Sequence, residues 1–158
     1  KVDRAIRGAA VAMGCTVQIE TVPGSLPLRS DPGLAAIFKA NSSELFGSSE
    51  YRDYPHSGGS TDAGDLSQIM PVLHPYMTGA RGGNHSPEWH IGDFGAGYVA
   101  PAKTLAMMAI DLLCDDAALA RKIKSEDDPP MSVEEYLDAQ KEIFRSETFD
   151  GDRSFAAN

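Results

Sequence analysis

The sequence is organised around the stretch His56-Ser57-Gly58-Gly59-Ser60-Thr61-Asp62-Ala63-Gly64-Asp65-Leu66-Ser67, followed after an apolar segment by Asn84-His85-Ser86-Pro87-Glu88-Trp89-His90. The part of the chain from residue 56 to residue 91 holds all four histidines, the single tryptophan and a dense set of glycines. Glycine permits backbone conformations that other residues resist, and it lets main chain approach a ligand closely. No other part of the chain combines these features, so this part holds the candidate functional residues.

The glycine-rich segment from Gly58 to Asp65 predicts an anion-binding turn. Successive backbone N–H groups in such a turn can form an anion-binding concavity, and the Ser60 and Thr61 hydroxyls add donors for a carboxylate. The segment is not a phosphate-binding loop, because no Gly-Lys-Ser/Thr follows, and its glycine spacing does not fit a dinucleotide fingerprint. The alternative is a plain structural turn in which Asp62 caps the next element.

The second segment offers His85 as a metal ligand. A neutral imidazole is the commonest protein ligand for a transition metal, and His85 lies in a glycine-rich turn. One histidine cannot make a metal site, which needs about three or four protein ligands. The chain has neither His-Glu-x-x-His nor Cys-x-x-Cys, so the alternative is a loop histidine with no ligand role.

Taken in order, these motifs resemble a known family. The pattern Gly-Ser-Thr-Asp-x-Gly-Asp-x-Ser at residues 59–67, then Asn84-His85-Ser86-Pro87-Glu88 and an apolar helix at 97–113, is similar to the C-terminal part of the co-catalytic metallopeptidases and amidohydrolases. That family includes carboxypeptidase G, the aminoacylases and the aminobenzoyl-glutamate hydrolases, and the motif is most similar to the last branch. The opening pattern Asp-Arg-x-x-x-Gly-Ala-Ala at residues 3–10 resembles the end of the family's inserted lid, or dimerisation, domain.

The resemblance implies roles residue by residue. His85 matches the family's last metal ligand, and Gly59, Ser60 and Thr61 match the loop beside the substrate's carboxylate. It assigns no catalytic residue here, because the family's general-base glutamate and its other ligands lie in an N-terminal region that this sequence lacks. It implies two divalent metal ions, Zn or Mn, in the full-length protein and none in this chain alone.

The expected fold class is α/β: a C-terminal fragment of a zinc-peptidase-like, mixed-sheet catalytic domain with a remnant of an α+β lid domain. Residues 1–24 are expected to end the lid with a helix over 2–13 and a half-exposed strand over 16–22. Residues 25–158 are expected to form the C-terminal portion of the metallohydrolase domain. The patterns there predict a helix over 31–46, a buried strand at 69–73, an apolar helix at 97–113 buried on most sides, a last helix reaching 144, and a loose polar tail from about 146.

Two functions from different classes follow. In the first, the chain is the C-terminal segment of a metal-dependent amidohydrolase or peptidase that cleaves the amide of N-acyl or N-aroyl amino acids (aminobenzoyl-glutamate-like) or of small peptides. Such a segment would be inactive alone and part of a homodimer when full length. In the second, it is a non-catalytic domain that binds a small carboxylate or a partner protein.

The composition limits the classes of partner and the cellular compartment that we expect. The net charge of −9 argues against a nucleic-acid footprint and against an anionic membrane surface. No run of residues approaches the roughly 18 apolar positions of a membrane span. Cys15 and Cys114 are isolated and lack metal spacing, which predicts two buried, reduced thiols in a cytoplasmic protein.

Overall fold

The structure, a computed structural model, describes residues 1–54 and 59–156, with side chains as far as residue 153. It is a mixed helix and strand protein. The helices are α1 (Val2–Met13), α2 (Pro32–Phe46), α3 (Asp62–Leu66), α4 (Ala100–Glu126, preceded by a π-helix at Gly95–Val99), α5 (Val133–Ile143) and α6 (Gly151–Ala156). The strands are β1 (Thr16–Thr21), β2 (Ala80–Arg81), β3 (His90–Ile91) and β4 (Arg145–Asp150).

The chain divides into two compact units. The first consists of Lys1–Gly24 together with Val133–Asn158, and the second of Ser25–Ser132. A division after Gly24 was expected from the sequence. The grouping of the C-terminal segment with the N-terminal one was not, since residues 25–158 were expected to stay together.

The first unit begins with the helix and strand that the sequence predicts. Helix α1 buries Ala10 and ends at Gly14, whose left-handed backbone (φ 60°) closes the last turn. In β1 the alternation places Ile19, 7% exposed, on the inner face, whereas Gln18 and Glu20 on the other face are exposed. The half-exposed strand is confirmed.

The expectation of a loose tail from about residue 146 is wrong, because this segment forms β4 and α6. Strand β4 pairs antiparallel with β1, from Thr16 opposite Asp150 to Thr21 opposite Arg145. None of its side chains is buried and half of them are exposed, so its sequence is polar and resembles a tail when its pairing partner is unknown.

The second unit is built on the packing of α2 against α4. Asp31 caps α2 by accepting a hydrogen bond from the Leu34 N–H at 2.7 Å, and Pro32 occupies the first turn, as predicted. The residues buried along these two helices include Phe38, Asn41, Ser42, Thr104 and Met108. Within this contact the Asn41 amide donates to the Asp111 carboxylate at 2.8 Å.

Two expectations for this unit are wrong. Residues 69–73 do not form a buried strand: Val72 makes only a single-residue parallel bridge to Ser30, and its carbonyl accepts from the Asp31 N–H at 2.8 Å. Helix α4 is not buried on most sides, since Leu105, Ile110 and Leu113 are 56%, 60% and 70% exposed. Both expectations inferred burial from an apolar composition. Composition alone does not show which neighbouring elements are present to cover a segment.

Three further features complete the description. By length and composition alone, the helical segment Gly95–Glu126 is long and apolar enough to cross a membrane, which differs from the expectation of no such run. Its backbone leaves helical geometry at Cys114–Ala117. In the described part of Ser25–Ser132 the only multi-residue ladder is the two-residue pairing of β2 with β3.

Cys15 and Cys114 are free and exposed, which corrects the expectation of buried thiols.

Candidate functional site

Gly59 and Ser60 lie on an exposed segment that enters α3. Ser60 forms an isolated antiparallel bridge with Pro27, so the connector before α2 positions this segment. Both residues remain exposed. Backbone and hydroxyl donors at this point are therefore accessible to an anion from solvent. His56 and Gly58, which the sequence also singled out, lie outside the described residues.

Thr61 caps α3, a role that the structural alternative had given to Asp62. Its Oγ1 accepts a hydrogen bond from the Gly64 N–H at 3.3 Å, while its backbone is extended. The hydroxyl of Thr61 keeps its own proton and can still donate it. Thr61 therefore has a structural role whether or not it contacts a substrate.

The residues after Thr61 are held tightly against the connector. Gly64 is buried so close to the Leu26 carbonyl that a Cβ at this position would overlap it. Asp65 accepts from the Leu26 N–H at 2.9 Å, and the fully buried Ser67 accepts from the Arg29 N–H at 2.9 Å. The Gly-Asp-x-Ser half of the motif thus fixes the position of the Gly-Ser-Thr half.

His85 lies at the tip of the turn between β2 and β3. Its φ of 59° places a non-glycine residue in the left-handed region, a strained conformation that persists only where the surrounding structure imposes it. Two turn hydrogen bonds bracket it, from the Ser86 N–H to the Gly83 carbonyl at 3.2 Å and from the Trp89 N–H to the Ser86 carbonyl at 3.1 Å. The side chain is exposed, and no hydrogen bond engages its imidazole within the part of the chain that the structure describes.

The other residues of this turn differ from His85 in their contacts. The Nδ1 atom of His90 lies 2.7 Å from the Glu88 carbonyl oxygen, so that ring already has a partner. The Ser86 hydroxyl lies beside the Glu88 carboxylate and lowers the pKa of Glu88, although the shielded Ser86 Oγ does not reach hydrogen-bond geometry with it. A negative charge is thereby favoured three residues from His85.

The base of the turn is joined to the start of α4. The Gly79 carbonyl accepts from the Gly92 and Asp93 N–H groups at 2.8 and 3.0 Å, and Asp93 in turn accepts from the Ala96 N–H at 3.0 Å. The π-helix Gly95–Val99 follows directly, and such segments are frequent near functional sites. Gly79 and Asp93 were not predicted as part of the site, and the only signal for them in the sequence is the Gly92-Asp93 pair shortly after His90.

Different parts of the structure position Gly59–Thr61 and His85. Hydrogen bonds and bridges tie Gly59–Thr61 to the connector before α2 and the His85 turn to the start of α4, and among the described residues none joins the two segments. His74, another candidate ligand by residue type, stacks on Tyr76 with ring centroids 5.7 Å apart.

The described residues contain no group of three or more His, Cys, Asp or Glu side chains that could hold a metal ion. His85 still fits the role of a single ligand, because its imidazole is exposed and unengaged and its backbone position is imposed. Any remaining ligands would have to come from outside this set.

Comparison with known proteins adds one relative. No family model matches the chain, and no solved structure matches it. The chain is similar to the Xaa-Arg dipeptidase of Mus musculus, with 32% identity over 130 residues that cover 75% of this chain and 30% of the dipeptidase. The chain thus spans less than a third of the length of that curated relative.

This similarity supports the broader expectation of a peptidase or amidohydrolase and does not extend to the finer branch. The relative is a dipeptidase, so it gives no support to the aminobenzoyl-glutamate branch. It does support the broader resemblance, and it suggests a metal-dependent type of peptidase. At this coarse level the similarity supports a relation of the chain to peptidases and amidohydrolases.

Proposed function

We propose that this chain is part of a metal-dependent peptidase that hydrolyses the amide bond of dipeptides or N-acyl amino acids. The observation that carries the proposal is His85: an exposed imidazole held in a left-handed turn, within a chain that is 32% identical to a dipeptidase over the matched residues. An exposed imidazole in an imposed conformation is what a metal ligand on a loop requires.

His85 would hold one divalent cation, Zn or Mn, together with ligands from the rest of the protein. When bound, such a cation polarises a carbonyl group and lowers the pKa of a water molecule. The chain's own contribution is to aim the imidazole, which it achieves through the bracketing turn hydrogen bonds and the attachment of Gly79 to Asp93. The exposed Glu88 carboxylate, ionised at neutral pH, adds negative charge three residues from the cation's ligand.

The segment Gly59–Thr61 would bind the substrate's terminal carboxylate. Gly59 and Ser60 are exposed, and Thr61 can donate its hydroxyl proton while it caps α3. Hydrogen bonds to a charged carboxylate are worth roughly 1.5–3 kcal/mol each. Holding the carboxylate selects which amide bond reaches the reacting groups.

The substrate class that we favour is a dipeptide with a free C-terminal carboxylate and a basic C-terminal residue. The relative's name places arginine at that position of its substrates, and an acidic protein of net charge −9 attracts a cationic side chain. Aminobenzoyl-glutamate and N-acetyl amino acids belong in the same test panel. We further propose a cytoplasmic homodimer; the free, exposed thiols suit a reducing compartment.

The test uses the protein encoded by the natural reading frame that contains this chain. Purified with Zn²⁺ or Mn²⁺, it should release arginine from alanyl-arginine faster than glutamate from aminobenzoyl-glutamate, and a chelator should abolish both activities. The 158-residue chain alone should show no turnover. Binding of the dipeptide without any hydrolysis by the longer protein would favour the non-catalytic, carboxylate-binding alternative and contradict the proposal.

A further inference from the structure

The connector at residues 26–29 positions the Gly59–Thr61 segment. Ser60 pairs with Pro27 in an isolated bridge, and the Gln68 Nε2 atom donates to the Pro27 carbonyl at 3.0 Å. The connector belongs to no helix or multi-residue strand. Its own position, and with it the position of the segment, therefore depends on what its side chains contact.

Arg29 attaches this connector to the ends of two helices. Its backbone N–H donates to the Ser67 Oγ atom at 2.9 Å, and its Nε atom donates to the Ser67 carbonyl at 3.0 Å. Its Nη2 atom donates to the Oδ1 atom of Asp127 at 2.6 Å, 98 residues further along the chain. One side chain thus joins Ser67, the fully buried C-cap of α3, to Asp127, the C-cap of α4.

Asp127 is a well-placed anchor for Arg29. Its backbone N–H donates to the Ile123 carbonyl at 3.0 Å. Ile123 is buried, and its Cγ1 atom would lie 3.0 Å from a Cβ added at Gly33 in the first turn of α2. The Asp127 side chain is only 4% exposed, and a carboxylate so little exposed is stable only when it is paired. Packing of α4 against α2 therefore fixes the carboxylate that Arg29 binds.

We infer that Asp127 is a positioning residue for carboxylate recognition: through Arg29 and Ser67 it fixes the Gly59–Thr61 segment at the place where the substrate's terminal carboxylate binds. The inference rests on the proposed function, since it concerns the same segment. A hydrogen bond between two charged groups is short and directional, so it defines position better than a neutral bond does. Small displacements of a substrate-positioning group reduce the rate even when that group lies far from the chemistry.

A purely structural ion pair is the competing interpretation, and the choice of variant decides between the two. Arg29→Ala would leave the Asp127 carboxylate unpaired in a site that water barely reaches, which is destabilising in itself. Changing Asp127 instead leaves a guanidinium group that is 33% exposed and can be solvated. Asp127 is therefore the residue to replace.

The test compares Asp127→Ala with Asp127→Asn, which keeps an oxygen that can accept the Arg29 bond. Asp128→Ala removes the neighbouring, exposed carboxylate and is the matched control. Each variant is made in the protein of the natural reading frame, and kcat/KM is measured for alanyl-arginine and for its C-terminal amide. Hydrogen exchange at the Arg29 amide, read by fragmentation mass spectrometry, reports the attachment to Ser67 independently of activity.

We expect Asp127→Ala to lower kcat/KM by roughly tenfold for the dipeptide and by less than about twofold for the amide. Asp127→Asn should recover most of the loss, and Asp128→Ala should show none. Exchange at the Arg29 amide should become faster in Asp127→Ala alone, because its bond to Ser67 opens more often. Equal losses for the acid and the amide, no loss in Asp127→Ala, or unchanged exchange would overturn the inference.

Two further arms keep the result decisive. If Asp127→Ala does not fold, Arg29→Lys takes its place: it keeps a positive charge beside Asp127 but lacks the planar fork that spans Asp127 and Ser67, so the same acid-selective loss is expected. If the wild-type protein binds the dipeptide without hydrolysing it, the proposed function fails, and the ratio of dissociation constants for the acid and the amide tests the inference instead. No binding of the dipeptide by the wild-type protein would contradict both.

Discussion

Arg7 on α1 forms a bidentate ion pair with the carboxylate of Glu147 on β4, 140 residues further along the chain. Its Nε atom lies 2.7 Å from Oε1, and its Nη2 atom donates to Oε2. A second pair, Arg145 with Asp3, joins the same helix and strand. The ends of the chain are thus held together by ion pairs as well as by the β1–β4 ladder.

The first prediction concerns acid stability. The Arg7 guanidinium lowers the pKa of Glu147 below its ordinary value of 4.5. A carboxyl whose pKa is lowered on folding stabilises the fold above its unfolded value, and that stabilisation is lost as the pH falls through the lowered folded value. Glu147→Gln should therefore lower the melting temperature at pH 7, and the difference from wild type should shrink as the pH falls below about 4.5.

The control is Glu142→Gln, which removes an exposed carboxylate from α5. It should melt close to wild type at every pH, because isolated surface charges contribute little. A constant deficit for Glu147→Gln from pH 7 to pH 3 would contradict the ion-pair interpretation.

The second prediction concerns Gly64. A Cβ added at this glycine would overlap the backbone carbonyl of Leu26. Because Gly64 is buried and the overlapping atom belongs to the main chain, neither can move aside easily. Gly64→Ala should reduce the free energy of unfolding by about 1–3 kcal/mol, measured by urea denaturation. Gly83→Ala, whose Cβ would only meet Ser86 side-chain atoms 3.6 Å away, should change it by less than about 0.5 kcal/mol. Similar losses in both variants would show that the Gly64 contact does not position the motif.

The third prediction separates the two roles of the Gly-Ser-Thr segment. Thr61→Ala removes the cap of α3 and should cost about 0.5–2 kcal/mol of stability. Thr61→Ser keeps an oxygen acceptor and should recover most of that loss. If Thr61→Ala unfolds at the same denaturant concentration as wild type, the capping hydrogen bond is unimportant.

The fourth prediction concerns Ser60, which is exposed and has no capping role. In the longer protein, Ser60→Ala should leave stability unchanged and lower kcat/KM for a dipeptide by roughly one to two orders of magnitude, since a hydrogen bond to a charged group is worth roughly 1.5–3 kcal/mol. A dipeptide amide, which lacks the carboxylate charge, should lose less. Equal losses for the acid and the amide would show that Ser60 does not bind the carboxylate.

The local elements were predictable where the sequence carries its own boundary signals. Asp31, Pro32 and Gly47 mark both ends of α2, and Gly14 marks the end of α1. Those signals act through nearest neighbours along the chain, so no tertiary information is needed to interpret them.

The failures arose where partners lie far apart in sequence. Strand β4 is polar and becomes a strand only by pairing with β1, more than 120 residues away. The apolar helix α4 looked buried, but burial depends on what lies beside it. His85 could be singled out from its motif, whereas its left-handed backbone and the support from Gly79 and Asp93 become visible only in the structure.

The most direct test of the proposed metal-dependent activity is the metal content of His85→Ala, measured by plasma emission spectrometry on the protein of the natural reading frame. His74→Ala is the matched control, because that imidazole stacks on Tyr76 and matches no ligand position. We predict that His85→Ala loses bound metal and at least about a hundredfold in dipeptide hydrolysis, since a catalytic metal supplies several kcal/mol, whereas His74→Ala keeps both. A full metal complement in His85→Ala, or equal losses in the two variants, would contradict the account.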